Sequence, residues 1–113
     1  MTNDEKLKIR LAETMGLHCT FPHLLPKKYY YKKEDFICSQ IFDPEHNVLD
    51  QLAAVEALVK GKDDSLVSLQ YQEYDQKWWA YIGYANDTWS GEAKTIRAAL
   101  WSALRQWGDA NKI

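Results

Sequence analysis

At 113 residues the chain has the length of one domain, and 46% hydrophobic with 27% charged residues is globular rather than disordered or fibrous composition. A formal net charge of −2 excludes a broad basic coat of the kind that wraps DNA, and leaves room for a local basic patch. Aromatic residues are the unusual feature: five Trp, seven Tyr and three Phe must be absorbed by a core or a binding surface.

The first ten residues are polar and charged and lack the apolar run of a signal peptide, and no segment approaches the length of a membrane span. The expectation is a cytoplasmic protein with no membrane association and with Cys19 and Cys38 as free thiols. Asp4 to Met15 reads as a helix, with Leu7, Leu11, Ala12 and Met15 at helical spacing, Asn3 or Asp4 as the cap and Gly16 as the stop. Leu17 to Pro26 reads as irregular because Pro22 and Pro26 break any helix. Tyr29 to Phe42 alternates aromatic and charged groups, which predicts one or two short extended pieces.

The stretch Asp43 to Asn47 is a turn into a second helix, capped by Asn47 and favoured by Asp50 near the positive end of its dipole. Val48, Leu52, Val55 and Val59 are its expected buried face, and Gly61 its end. Leu66 to Tyr74 reads as a strand with Val67, Leu69 and Tyr71 on one side. A turn at Asp75-Gln76, a strand from Lys77 to Ala85, a turn at Asn86-Asp87 and a strand from Thr88 to Ala93 complete a meander. Thr95 caps a last helix that runs to about Gln106 or Trp107, with Gly108 as its stop. The fold class is therefore α+β: an antiparallel three-stranded β-meander packed with three α-helices, sandwich-like, in the order α, β or irregular, α, β, β, β, α, as one domain over 1–113.

Specific residues along this order carry a resemblance. They are Ala12-Glu13-Thr14-Met15-Gly16, Asp50-Gln51-Leu52-Ala53-Ala54, Lys77-Trp78-Trp79, and Glu92-Ala93-Lys94-Thr95 followed by Ala98-Ala99-Leu100 and Ala103-Leu104. In this order they resemble the small bacteriophage and prophage proteins with the phage ABA-sandwich domain. Two departures stand out: Leu17 occupies a position where the family has an aromatic residue, and the stretch between the first two helices is long and rich in Tyr. The resemblance implies a phage accessory protein with an α-β-α sandwich and carries no catalytic residues.

Two places concentrate candidate binding residues. In Lys27-Lys28-Tyr29-Tyr30-Tyr31-Lys32-Lys33, four cations flank three rings; lysines neutralise phosphates and tyrosine faces stack on unpaired bases, so the run suits single-stranded nucleic acid. The same pattern also suits an edge strand guarded by lysines, with alternate rings on the core. On the meander, Trp78 and Trp79 must face opposite ways; Trp79 with Tyr81 is either a protein-binding hot spot or the second buried face of a sandwich. Trp101 lies off the main stripe of the last helix and either widens that stripe or faces solvent.

His18, Cys19, His23, Cys38 and His46 are the residues that could hold a metal, but zinc sites come as two tight pairs and Cys38 with His46 is not one. The expectation is no metal and no cofactor. Phosphate-binding glycine loops, dinucleotide fingerprints and nucleophile elbows are lacking, so catalysis has no motif to stand on. The reading is a non-enzymatic, phage- or prophage-encoded accessory protein that binds a host macromolecule, most readily a host or phage protein, and blocks a defence or regulatory complex. Alternatives are a nucleic-acid-binding module using Lys27 to Lys33, and a homodimer.

Overall fold

The computed structural model describes residues 2–19, 23, 27–33 and 36–113, and for 32, 33 and 36–39 only the backbone. Among them run α1 (Asn3–Met15), β1 (His18–Cys19), β2 (Tyr29–Lys33), β3 (Phe36–Ile41), α2 (Val48–Val59), β4 (Leu66–Gln72), β5 (Lys77–Tyr84), β6 (Asp87–Ala93) and α3 (Ile96–Ala110). The strands form two antiparallel sheets, β1-β2-β3 and β4-β5-β6. The α+β architecture read from the sequence is present, and the stretch read as irregular or extended contributes a second small sheet. Pro22 and Pro26, expected to break any helix there, lie outside the described residues.

Local chemistry sets the helix ends. Thr2 caps α1 one residue earlier than Asn3. Its hydroxyl accepts the Glu5 N–H at 3.1 Å while the Glu5 carboxylate accepts the Thr2 N–H at 3.3 Å, a reciprocal box that satisfies two donors at once. Gly16 closes the helix at φ 71°, a left-handed position that costs a residue without Cβ little. Asn47 accepts the Asp50 N–H at 3.2 Å and starts α2, and Thr95 accepts the Ala98 N–H at 3.2 Å and starts α3. The hairpin turn after β5 is centred on Ala85 and Asn86, one residue before the expected pair. Tyr84 pairs with Asp87, and both central residues have positive φ, as a two-residue turn on twisted strands requires.

Two expectations about helix faces are corrected. The buried residues of α2 are Asp50, Gln51, Ala54, Val55 and Leu58, while Leu52 is exposed. The helix is turned this way because its two polar residues find partners inside. Asp50 accepts the Tyr31 hydroxyl and, at 2.8 Å, the Asp43 N–H, and Gln51 donates to the Arg97 carbonyl at 2.9 Å. Gly108 does not stop α3, which continues to Ala110. A Cβ at Gly108 would meet Leu7 Cδ1 at 3.0 Å, so this glycine makes room for α1 against α3. The same two helices are tied by Arg105, whose guanidinium donates twice to Asp4, at 2.9 and 2.7 Å, and holds that carboxyl below the usual carboxylate range.

One core joins the three helices to β5 and β6: Leu7 and Leu11, Val55 and Leu58, Ala80 and Ile82, Trp89, and Leu100, Leu104 and Trp107. Trp101 belongs to it as well and widens the buried stripe of α3. The contact of α3 with β6 is very close at Gly91, where a Cβ would lie 2.5 Å from both Ala99 O and Ala103 N. Both are helix backbone atoms, so no rotamer change relieves the clash. Gly91→Ala should therefore lower unfolding free energy by about 1–3 kcal/mol or more, measured by urea denaturation.

Burial first, and then the hydrogen bond to Asp50, push the Tyr31 hydroxyl well above the ordinary tyrosine range. A group raised in the folded state contributes stability that is full below its unfolded value, about 10, and is lost as pH climbs toward the folded one. Tyr31→Phe should destabilise by about 1–3 kcal/mol at neutral pH by leaving a buried carboxylate oxygen short of a donor. The gap between wild type and variant should narrow above about pH 10 in denaturation curves taken across pH.

Candidate functional site

The tyrosine run folds as β2, and alternation divides its rings. Tyr29 is buried, and burial raises its hydroxyl above the ordinary range. Tyr31 meets Phe42 edge to face, with centroids 6.1 Å apart, and is tied to Asp50. Tyr30, pointing the other way, is half-buried and pairs with His18 on one side and Ile41 on the other. Two of the three rings expected as a stacking platform thus serve the interior. The backbones of Lys32 and Lys33 pair with Ile37 and Phe36; their side chains lie outside the described residues.

Lys27 and Lys28 precede the strand and line a cleft of about 310 Å³ between α1 and the ends of β2 and β3, together with Lys8 and His46. Its floor is apolar, with Ile9, Tyr29 and Phe42. The Lys8 ammonium is 2.7 Å from Glu45, and Glu5 and Asp43 line the same cleft, so part of its positive charge is answered within the chain; His46 Nδ1 lies 3.0 Å from Asp43.

His18 and Cys19 are neighbours in β1 and point to opposite faces; Cys19 is a half-buried free thiol and His23 is exposed. The Cys38 side chain lies outside the described residues. Among the described residues no three His, Cys, Asp or Glu side chains gather as a metal set.

Trp78 and Trp79 face opposite sides of the meander, as alternation requires. Trp78 shares the α3 side and packs against Tyr71 at 5.2 Å between centroids. Trp79 and Tyr81 lie on the far side, nearly parallel at 13° with centroids 6.2 Å apart, and both are half-buried. Gln70 and Glu92 pair beside Trp79, and Ser68 and Ser90 beside Tyr81, so the two rings sit among polar side chains. The Trp79 Nε1 atom is buried and meets no protein acceptor.

The surface that sequence reasoning missed is β4. Its register sets Val67, Leu69 and Tyr71 opposite Ile82, Ala80 and Trp78, on the face that α3 covers over β5 and β6. Yet these three side chains are 44%, 37% and 51% exposed, and nearby Leu66 and Tyr74 are exposed too. The meander has two edges, and they are treated differently. At β6 the Gln106 side chain of α3 accepts the Ser90 N–H at 2.6 Å. At β4 no strand of the described chain pairs with the outer edge. The strand itself, Leu-Val-Ser-Leu-Gln-Tyr-Gln, carries no charge and no proline, the usual devices that keep an edge from recruiting another strand. Val67, Leu69 and Tyr71 share one side, as the alternation predicts, but the helix layer does not extend over them.

Among the described residues no helix is long and apolar enough to cross a membrane. Comparisons with protein-family models, with curated proteins and with solved structures found no match to this chain.

Proposed function

We propose that this protein is a binding module, not an enzyme, and that it takes up an extended segment of another protein as a fourth strand on the outer edge of β4. One observation carries the reading: a seven-residue edge strand, uncharged, with no strand of the described residues on its outer edge and with Val67, Leu69 and Tyr71 exposed on a single face. Strand addition answers both features together. The backbone groups of β4 gain partners, and alternate side chains of the incoming strand cover the apolar row. The stacked Trp79 and Tyr81 on the opposite face are a second apolar surface that a folded partner could reach around the same edge.

The setting we propose is a phage- or prophage-encoded accessory protein acting in the host cytoplasm on a host protein, with blockade of a defence or regulatory complex as the outcome. Support for that setting is the resemblance to phage ABA-sandwich proteins in the sequence pieces given above, which run along nearly the whole chain. A second reading, single-stranded nucleic acid on the cleft beside Lys27 and Lys28, is favoured by the cationic lining of that cleft. It is the weaker one because Tyr29 and Tyr31 are engaged in the interior.

Panning displayed short random peptides against the wild-type protein and against Leu69→Lys separates the readings. Peptides selected on wild type should lose about tenfold or more in affinity for the variant, because a charge on the apolar row of the edge opposes docking of a strand. Bound peptide should also slow hydrogen exchange at the β4 amides. Binders indifferent to Leu69→Lys but lost in Lys27→Gln/Lys28→Gln would overturn the proposal in favour of the cleft.

A further inference from the structure

We infer that the strand received by β4 has apolar residues at alternate positions and lysine or arginine at both ends, and that it comes from a different protein and not from a second copy of this chain. The inference rests on the strand-addition reading and names the chemistry of its partner. The uncharged stretch Leu66–Gln72 is bracketed by acids: Asp63 and Asp64 before it, Glu73 and Asp75 after it, all four exposed. Three cations lie near in sequence, and Lys60 is exposed before Gly61. The Lys62 ammonium sits over the Tyr84 ring, 5.4 Å from its centroid, and Lys77 is half-buried at the start of β5. Carboxylates therefore outnumber ammonium groups at the edge, and they stand at both of its ends. An incoming strand meets acid at each end whichever way it runs, so the demand for flanking cations does not depend on its direction.

The faces of β4 set the rest of the pattern. A strand hydrogen-bonded to it stands about 4.8 Å away, with its side chains in the same two rows. On the α3 side it meets Val67, Leu69 and Tyr71, which reward apolar neighbours. On the far side it meets Ser68, Gln70 and Gln72, which reward small polar ones. The partner segment alternates accordingly.

A second copy fits the apolar row and fails on charge. A closed two-fold dimer through this edge needs antiparallel strands. The register that uses all of β4 sets Leu69 against Leu69 and Val67 against Tyr71. Asp63 of one copy then faces Asp75 of the other, and each end of the joint gathers Asp63 and Asp64 from one chain with Glu73 and Asp75 from its mate. Like charges so placed repel.

The test uses three synthetic peptides with one core, Val-Thr-Ile-Thr-Val, flanked on both sides by lysines, by serines or by glutamates. At low salt the lysine-flanked peptide should bind wild type about tenfold more tightly than the serine-flanked one, and the glutamate-flanked peptide more weakly than either. High salt should erase the ranking. So should the variant Asp63→Asn/Asp64→Asn/Glu73→Gln/Asp75→Asn, which keeps the backbone intact: asparagine accepts the left-handed φ of 56° at position 64, and it is the Asp63 carbonyl, not its side chain, that receives the Ala85 N–H.

Equal binding of all three peptides, still abolished by Leu69→Lys, would overturn the charge inference and leave strand addition standing. Absence of β4 amide protection with any peptide would bring down strand addition and the inference with it. Sedimentation should give a monomer; a dimer dissolved by Leu69→Lys would overturn the choice of partner in favour of a second copy.

Discussion

Gly91 brings the backbone of β6 so close to α3 that a methyl group there would lie 2.5 Å from two helix backbone atoms. A helix is about 10 Å wide with its side chains, and one drawn down onto β6 and β5 cannot also cover a third strand. The consequence runs through the whole molecule. Ala80, Ile82 and Trp89 are buried beneath α3, and Gln106 is brought to the β6 edge where it takes the Ser90 N–H. The helix-side row of β4, continuous with that core in register, is left in solvent. The exposed edge is thus the complement of a close contact elsewhere. Apolar surface that a wider helix layer would have buried is left available for a partner.

The other half of the molecule hangs on Asp50. Its carboxylate receives the Tyr31 hydroxyl from β2 and the Asp43 N–H from the turn before α2, so one buried charge ties the small sheet to the helix layer. A buried carboxylate is tolerable only when its lone pairs are answered, and here the answers come from two separate segments. This use of Tyr31, with Tyr29 beside it in the core, is also why the tyrosine run is less of a nucleic-acid platform than its composition implies. In a five-residue strand, alternation sends every second ring inward whatever the residues are.

What could be read from the sequence follows a physical division between local and distant causes. Asn47, Thr95 and Gly16 were legible because a cap is satisfied within a few residues of itself, and the alternation of β4 and β5 was legible because a strand has a period of two. Gly108 misled because its role is set by Leu7, at the far end of the chain. The inward turn of Asp50 and Gln51 was not legible because their partners, Tyr31 and the Arg97 carbonyl, lie 19 and 46 residues away. His18 and Cys19 form a strand only by pairing with Tyr30 and Tyr29, and two residues have no periodicity to detect. For β4 the direction of each side chain was readable, but exposure was not, because exposure depends on where α3 lies. The lack of any charge or proline across seven residues was the one available signal, and it becomes informative only once the strand is known to be an edge.

A net charge of −2 conceals two surfaces of different character, one of mixed charge and one flanked by acids. The cleft beside α1 gathers Lys8, Lys27 and Lys28, whereas the β4 edge stands between Asp63 and Asp64 on one side and Glu73 and Asp75 on the other. Carboxylates at both ends of the edge repel a polyanion and favour a cationic segment, which is the charge pattern the proposed partner answers. The cleft offers a polyanion cations, but Glu45 already answers Lys8, and Glu5 and Asp43 stand in the same lining. An apolar row must be covered to be satisfied, whereas solvated lysines need no partner. The edge of β4 therefore carries the apolar surface on which the proposed strand addition rests.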